Sequence, residues 1–266
     1  MTRLFIALKT LFLLLTLTAS AKASELRLVT LTPALTESVQ AFGRGDWIVG
    51  TDQASDAGLA IVGDYQRINV EAILALNPTH VLSWEDSTPP DLAEKLKAFG
   101  ISLWISKTRT LDQIADGMAE LGRLLNVPDD RAQSFAADIQ ALSSEYRGKR
   151  RLTTVWLLWD RPLMVVAGRG YQADALRLCG ADNPYEALPM AAATVSPESL
   201  VESGAELLIA SDPAWLGDYS AWKNLTAVQQ KQWFTPNSDT LSKPGMGLVS
   251  GIRSLCDAID RVRTRL

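Results

Sequence analysis

Two stretches far apart in the chain carry the same order of polar and apolar positions. Asn69-Val70-Glu71-Ala72-Ile73-Leu74-Ala75-Leu76-Asn77-Pro78 runs into Val81-Leu82. Ser196-Pro197-Glu198-Ser199-Leu200-Val201-Glu202-Ser203-Gly204-Ala205 runs into Leu207-Leu208-Ile209. Each opens with a residue whose side chain caps a helix and places an acid two positions later. Each then continues through an apolar turn, stops at a breaker and ends in a buried-type strand. One helix–strand unit in each half predicts two similar lobes facing a single cleft. Each lobe would present a glutamate, Glu71 or Glu198, in the first turn of an equivalent helix.

The remaining pattern alternates in the same way. Apolar runs at Leu26–Leu31, Trp47–Gly50, Thr79–Trp84 and Ile101–Ile105 read as strands. A helix over Ala34–Phe42 is entered through the cap Thr32 and the N1 proline Pro33 and stops at Gly43. Another covers Leu111–Leu125. Strands alternating with helices predict a mostly parallel sheet with helices on both faces. From Pro128, the apolar residues Phe135, Ile139, Leu142 and Tyr146 recur at helical spacing, with no glycine or proline before Gly148. About twenty helical residues span ~30 Å, so the expectation is one long helix over 128–148 joining the lobes. A packing helix inside one domain is the plainer alternative. The second half restarts with strands Thr153–Leu158 and Pro162–Ala167, and Gly168-Arg169-Gly170 turns into a helix over Tyr171–Cys179. A helix over Ala221–Gln230, a short strand at Gln232–Phe234 and a terminal helix over Met246–Arg263 complete the pattern. The expected fold class is therefore α/β. It has two Rossmann-like lobes with mostly parallel sheets, residues 24–127 and 149–266, joined by the helix at 128–148.

The first 23 residues read as something else. Arg3 and Lys9 precede the apolar Leu11–Leu17, and Ala21-Lys22-Ala23 fits a small-x-small cleavage site. This is the pattern of a secretory signal peptide, shorter than a typical membrane span. An uncleaved anchor is the alternative; no cysteine follows to carry lipid. The expected location is the periplasm, as a soluble exported chain. The leader holds three basic residues and no acid, so its removal moves the formal net charge from −4 to −7. That balance argues against a general nucleic-acid partner. Two cysteines remain, Cys179 and Cys256. In an oxidising compartment an even count points to a disulfide, with two buried free thiols as the alternative. The bond would pin the terminal helix to the second lobe.

Candidate chemistry is narrowed by what is missing. The one histidine, His80, sits inside a predicted strand and reads as structural. A histidine-rich metal site and a Ser-His-Asp triad are both excluded. No Gly-x-Ser-x-Gly elbow or phosphate loop occurs, and Gly168-x-Gly170 lacks the third glycine of a dinucleotide fingerprint. No catalytic residue, metal or cofactor is expected. The aromatics are more informative, with eight tryptophans in the chain. Trp84 ends a strand at the carboxyl edge, where ligands sit in open α/β sheets. Tyr65 lies just before the Glu71 helix, and Trp159 closes the strand ahead of Asp160-Arg161-Pro162. The three could line a cleft and stack on a bulky ligand, or pack structurally. Trp47, Trp104 and Trp156 lie in apolar runs and read as core. Asp239 and Lys243 could add polar contacts at the second-lobe rim, or belong to an exposed turn.

These residues resemble a known group. Leu28-Val29-Thr30-Leu31-Thr32-Pro33-Ala34-Leu35-Thr36-Glu37 is similar to the opening strand and helix of class III periplasmic substrate-binding proteins, which serve ABC importers for cobalamin, siderophores and haem. Val70–Pro78 is similar to that family's first-lobe docking helix, and Pro197-Glu198-Ser199-Leu200 to its second-lobe counterpart. The resemblance covers essentially the whole mature chain. Within the family the segments Leu178–Asn183 and Ser254–Ala258 resemble the disulfide-bonded pair of the cobalamin-binding members. The resemblance implies Trp84, Tyr65, Trp159, Asp239 and Lys243 as ligand contacts. It implies a monomer that captures cobalamin or a related corrinoid, and a permease dimer with its cytoplasmic ATPase as partner, met through Glu71 and Glu198. Three positions depart from the family pattern. The loop Thr51–Val62 is short and keeps only Asp56 of the expected residues. Pro189–Thr194 replaces an expected second-lobe tryptophan, and Lys243 stands near where an arginine is expected. Haem and ferric siderophore therefore stand as alternative ligands. An exported α/β hydrolase using cleft carboxylates is the rival from another class, though nothing resembles a nucleophile with its base. A ligand sensor docking onto a receptor is a further rival.

Overall fold

The structure, a computed structural model, describes residues 26–55, 58–64, 66–210, 212–216 and 222–265. The expected leader at 1–23, Asp56 and Tyr65 lie outside them. Strand β1 (Leu28–Thr30) is central and wholly buried. It is followed by helix α1 (Pro33–Ala41), then β2 (Ile48–Thr51) and β3 (Ala60–Ile61). Helix α2 (Val70–Ala75) precedes β4 (His80–Trp84). Helix α3 (Leu92–Lys97), β5 (Ser102–Ser106) and helix α4 (Leu111–Leu124) complete this half. The five strands form one sheet in the order β3-β2-β1-β4-β5, with every pairing parallel. Helices cover both faces, which is why the inner strands read as continuous apolar runs.

The segment expected as a single helix over 128–148 is two helices, α5 (Asp129–Ala132) and α6 (Ser134–Tyr146), parted at Gln133. The break follows from packing. Ala132 sits so close to Gly122 of α4 that a Cβ on that glycine would stand 2.5 Å from the Ala132 methyl. Phe135, Leu142 and Tyr146 then turn into the core from the next helix.

The second half builds β6 (Leu152–Asp160), β7 (Leu163–Val166), helix α7 (Tyr171–Leu178), β8 (Ala181–Asp182), β9 (Ala192–Thr194), helix α8 (Pro197–Glu202) and β10 (Leu207–Ala210). After these come α9 (Thr226–Gln229), β11 (Trp233–Phe234), α10 (Ser238–Leu241) and α11 (Leu248–Arg263). The sheet order is β11-β10-β6-β7-β9, with β8 also paired to β6. This sheet is mixed: β6, β10 and β11 run parallel, whereas β7 opposes both β6 and β9. The two residues Arg161 and Pro162 connect β6 to β7, and a link that short can only make an antiparallel hairpin. The helix expected over Ala221–Gln230 shrinks to α9, because residues 222–225 form turns that bury Trp222 and Leu225; Ala221 lies outside the described residues. Trp156 is 2% exposed, as a core residue should be. Trp104 is half-buried, and Trp47 sits in a short 3₁₀ turn beneath the Arg44 guanidinium.

One apolar core runs through the molecule. It takes in Leu35 and Val39 of the first half, Phe135 and Leu142 of α6, and Leu207 and Ile252 of the second half. Cys179 and Cys256 are both fully buried and joined by a disulfide, with 4.6 Å between their Cα atoms. Among the described residues no helix is long and apolar enough to cross a membrane.

Candidate functional site

Both glutamate helices start at the carboxyl edge of their sheets. In the first half, the Asn69 N–H donates to the Val62 carbonyl just past the end of β3 (2.8 Å), which fixes where α2 begins. Asn69 Oδ1 accepts from the Ala72 N–H at 3.0 Å and so caps the helix, leaving Glu71 exposed in its first turn. In the second half, the Val195 N–H donates to the Leu163 carbonyl (3.0 Å). Leu163 pairs with Asp160 at the end of β6, so Ser196 starts α8 at that edge. Ser196 Oγ accepts from the Ser199 N–H at 3.2 Å. Glu198 is exposed, and its own backbone N–H together with the Ser196 hydroxyl hold its carboxyl below the usual carboxylate range.

The aromatic residues share these edges. Trp84 ends β4, opposite Ser106 of β5. It is half-buried, and its indole N–H is buried without a partner among the described residues. Trp159, near the end of β6, is 54% exposed. Its N–H donates to the Arg161 carbonyl at 3.0 Å, and its ring packs on Trp215 with centroids 5.8 Å apart and planes tilted by 59°. Trp215 stands in a 3₁₀ turn (Pro213–Leu216) that follows β10, the strand paired to β6. Sequence reasoning passed over Trp215. Its one sequence signal is a place shortly after an apolar strand, whereas Trp84 is the last residue of its strand.

Asp239 and Lys243 meet the first half directly. Lys243 Nζ donates to Glu37 Oε1 of α1 at 2.6 Å and stands 3.2 Å from Asp239 Oδ1. The Glu37 hydrogen bond comes first, with Asp239 contributing, in raising the lysine above its ordinary range. Beside this bridge the Met246 N–H donates to Ser38 Oγ at 3.1 Å. A cavity of about 530 Å³ opens here, lined by Thr36, Glu37 and Ser55 from one side and by Asp239, Thr240 and Lys243 from the other. A second polar strap joins the halves elsewhere, where the Leu111 N–H at the start of α4 donates to Asp174 Oδ2 at 3.0 Å. Next to it lies a cavity of about 720 Å³ between Thr108–Thr110 and the segments Gly168–Gln172 and Pro189–Ala191. Neither tryptophan of the carboxyl edges lines these two cavities.

The structure therefore brings Asp239 and Lys243 together and places Trp84 and Trp159 at carboxyl edges of separate sheets. Among the described residues no cluster of three His, Cys, Asp or Glu could hold a metal. His80 is half-buried at the opposite, amino end of β4, where its Nδ1 meets Thr79 Oγ1 at 3.0 Å; burial lowers its pKa.

Comparisons with known proteins agree with the two-lobe α/β fold. A family model described as periplasmic binding protein matches residues 28–240. The chain is 29% identical over 250 residues to a vitamin B12-binding protein of Vibrio parahaemolyticus, covering 90% of this chain and 91% of the relative. Among solved structures it is similar to the periplasmic vitamin B12 binding protein BtuF of Vibrio cholerae. That match has a TM-score of 0.77 and 27% identity, over 89% of this chain and 97% of the other. The periplasmic heme binding protein HutB of Vibrio cholerae shares the fold, with a TM-score of 0.74 at 20% identity, over 91% of this chain and 98% of the other.

Proposed function

The chain belongs to the periplasmic binding protein family, and from that premise we propose that it is the solute-binding component of an ABC importer for a cobalamin or related corrinoid. The leader at 1–23 exports it to the periplasm. Two lobes, residues 24–127 and 149–266, hold the ligand between their sheets' carboxyl edges, and the 128–148 segment joins them. Trp84, Trp159 and Tyr65 cover the ligand's apolar faces, while Asp239 and Lys243 contribute at the rim. Glu71 and Glu198 meet arginines of the permease dimer, one per lobe. The work is capture and delivery, which requires no reaction. The observation that carries this reading is similarity along nine-tenths of the chain to relatives named for vitamin B12.

A haem- or ferric-siderophore-binding role is the second reading. The fold shared with HutB and the absence of a tryptophan from Pro189–Thr194 favour it. Against haem held through a histidine stands His80, at the wrong end of its strand. A corrinoid brings its own axial ligands and asks for none.

The delivery role is tested by Glu71→Arg combined with Glu198→Arg. Cyanocobalamin affinity should stay near wild type while uptake through the permease is lost. Lost affinity, or unchanged uptake, would contradict the docking assignment.

A further inference from the structure

The turn Gly168-Arg169-Gly170 holds an arginine on a clamped backbone. A Cβ on Gly168 would stand 1.9 Å from the Glu186 carbonyl oxygen, and Gly170 has φ +96°. Both positions therefore need glycine for steric reasons. The Arg169 N–H donates to the Met190 carbonyl (3.0 Å), flanked by Ala167 to Ala191 (2.9 Å) and Gly168 to Leu188 (3.1 Å). Nothing in this backbone requires arginine at 169. Its side chain is exposed and makes no ion pair or hydrogen bond among the described residues. The other arginines nearby are occupied. Arg177 bonds Glu186 (2.7 Å), Asp174 (2.5 Å) and the Gly168 carbonyl (2.9 Å). Arg109, from the first lobe, stands 3.4 Å from Glu85 and 3.3 Å from Asp86.

Arg169 and Arg109 line the same cavity of about 720 Å³ from opposite lobes. Its lining also includes Pro189-Met190-Ala191, with Met190 47% exposed, and the carboxylates Asp86 and Asp174, which are paired with Arg109 and Arg177. The cavity combines space, a clamped backbone carrying an exposed guanidinium that makes no bond among the described residues, and contributions from both lobes.

We propose that Arg169 anchors an anionic substituent of the bound ligand in this cavity, with Arg109 across from it. The guanidinium fork suits the paired oxygens of a phosphodiester or carboxylate. On a complete cobalamin the group is the phosphodiester carrying the lower nucleotide, and on a haem it is a propionate. The corrinoid assignment rests on the function proposed above. The consequence is specificity: the protein distinguishes complete corrinoids from those lacking the nucleotide.

The test is calorimetric titration of wild type and Arg169→Gln with cyanocobalamin, with dicyanocobinamide (which lacks the phosphodiester) and with haemin. Wild type should prefer cyanocobalamin to dicyanocobinamide. The substitution should weaken cyanocobalamin about tenfold at low salt, less at high salt, and leave dicyanocobinamide unchanged. Equal effects on both corrinoids, or none on cyanocobalamin, would overturn the anchor while leaving corrinoid binding in place. Wild type that binds haemin and not cyanocobalamin, with haemin weakened by the substitution, would keep the anchor and overturn the corrinoid reading. Wild type that binds neither overturns both. Arg169→Lys separates charge from fork geometry, and recovery of at least half of the lost binding free energy supports an electrostatic anchor.

Discussion

The indole of Trp159 is tethered twice, through its N–H to the Arg161 carbonyl and through its ring to Trp215. A large aromatic face held that way is ready to stack without losing further rotamer freedom. Trp84 differs, being half-buried with an unpartnered indole N–H. If each covers a ligand face, Trp84→Ala and Trp159→Ala should each weaken binding by about 1–3 kcal/mol. Tryptophan quenching or calorimetry reads the change, and an unaltered dissociation constant returns that residue to a structural role. Lys243 carries a different expectation. Its pair with Glu37 raises the lysine above its ordinary 10.5, so the folded protein holds that proton more tightly than the unfolded chain does. The stabilisation is complete below pH 10.5 and is lost as pH rises through the raised value. Urea midpoints of wild type and Lys243→Met should therefore differ by a constant amount at neutral and mildly alkaline pH and converge above it. A difference that grows with alkalinity contradicts the bridge. No sequence pattern links Lys243 to a partner 206 positions away, which is why it read only as a rim contact. Trp215 was hidden for a similar reason, since its neighbour is set by strand pairing.

At the scale of elements, local signals were strong wherever a cap or breaker stood beside an apolar run. Asn69 and Ser196 cap as their chemistry predicts. Pro33 opens α1 at its first position, and the terminal helix keeps its apolar face inward. Failures came where packing decides. The joint at Gln133 depends on how Ala132 meets Gly122, and the second sheet is mixed because β6 returns through a two-residue turn. The disulfide is the strongest constraint on an element, since it ties the end of α7 to α11 across 77 residues. Closing such a loop stabilises the fold by about 4 kcal/mol in the chain-entropy model. Reduction should lower the urea midpoint accordingly and loosen α11 first, seen as faster amide exchange over Leu248–Arg263 than over β1. Uniform loosening, or none, would show that the bond does not anchor that helix.

For the whole molecule, the repeated helix–strand unit was readable because it recurs locally. The relation between the halves was less so, because it depends on contacts such as Glu37–Lys243 and Leu111–Asp174. An apolar core that continues from Leu35 through Phe135 to Ile252 favours modest rearrangement on binding over wide hinge opening, since close-packed interiors resist deformation. On the proposed reading, capture depends on a cleft largely formed in advance. The most direct check is a calorimetric titration of the purified mature protein with cyanocobalamin, haemin and ferric siderophores. The account predicts a single-site isotherm with one cyanocobalamin per chain, tighter than for any other ligand of the panel. Saturation by haemin or a siderophore with no heat from cyanocobalamin would contradict it.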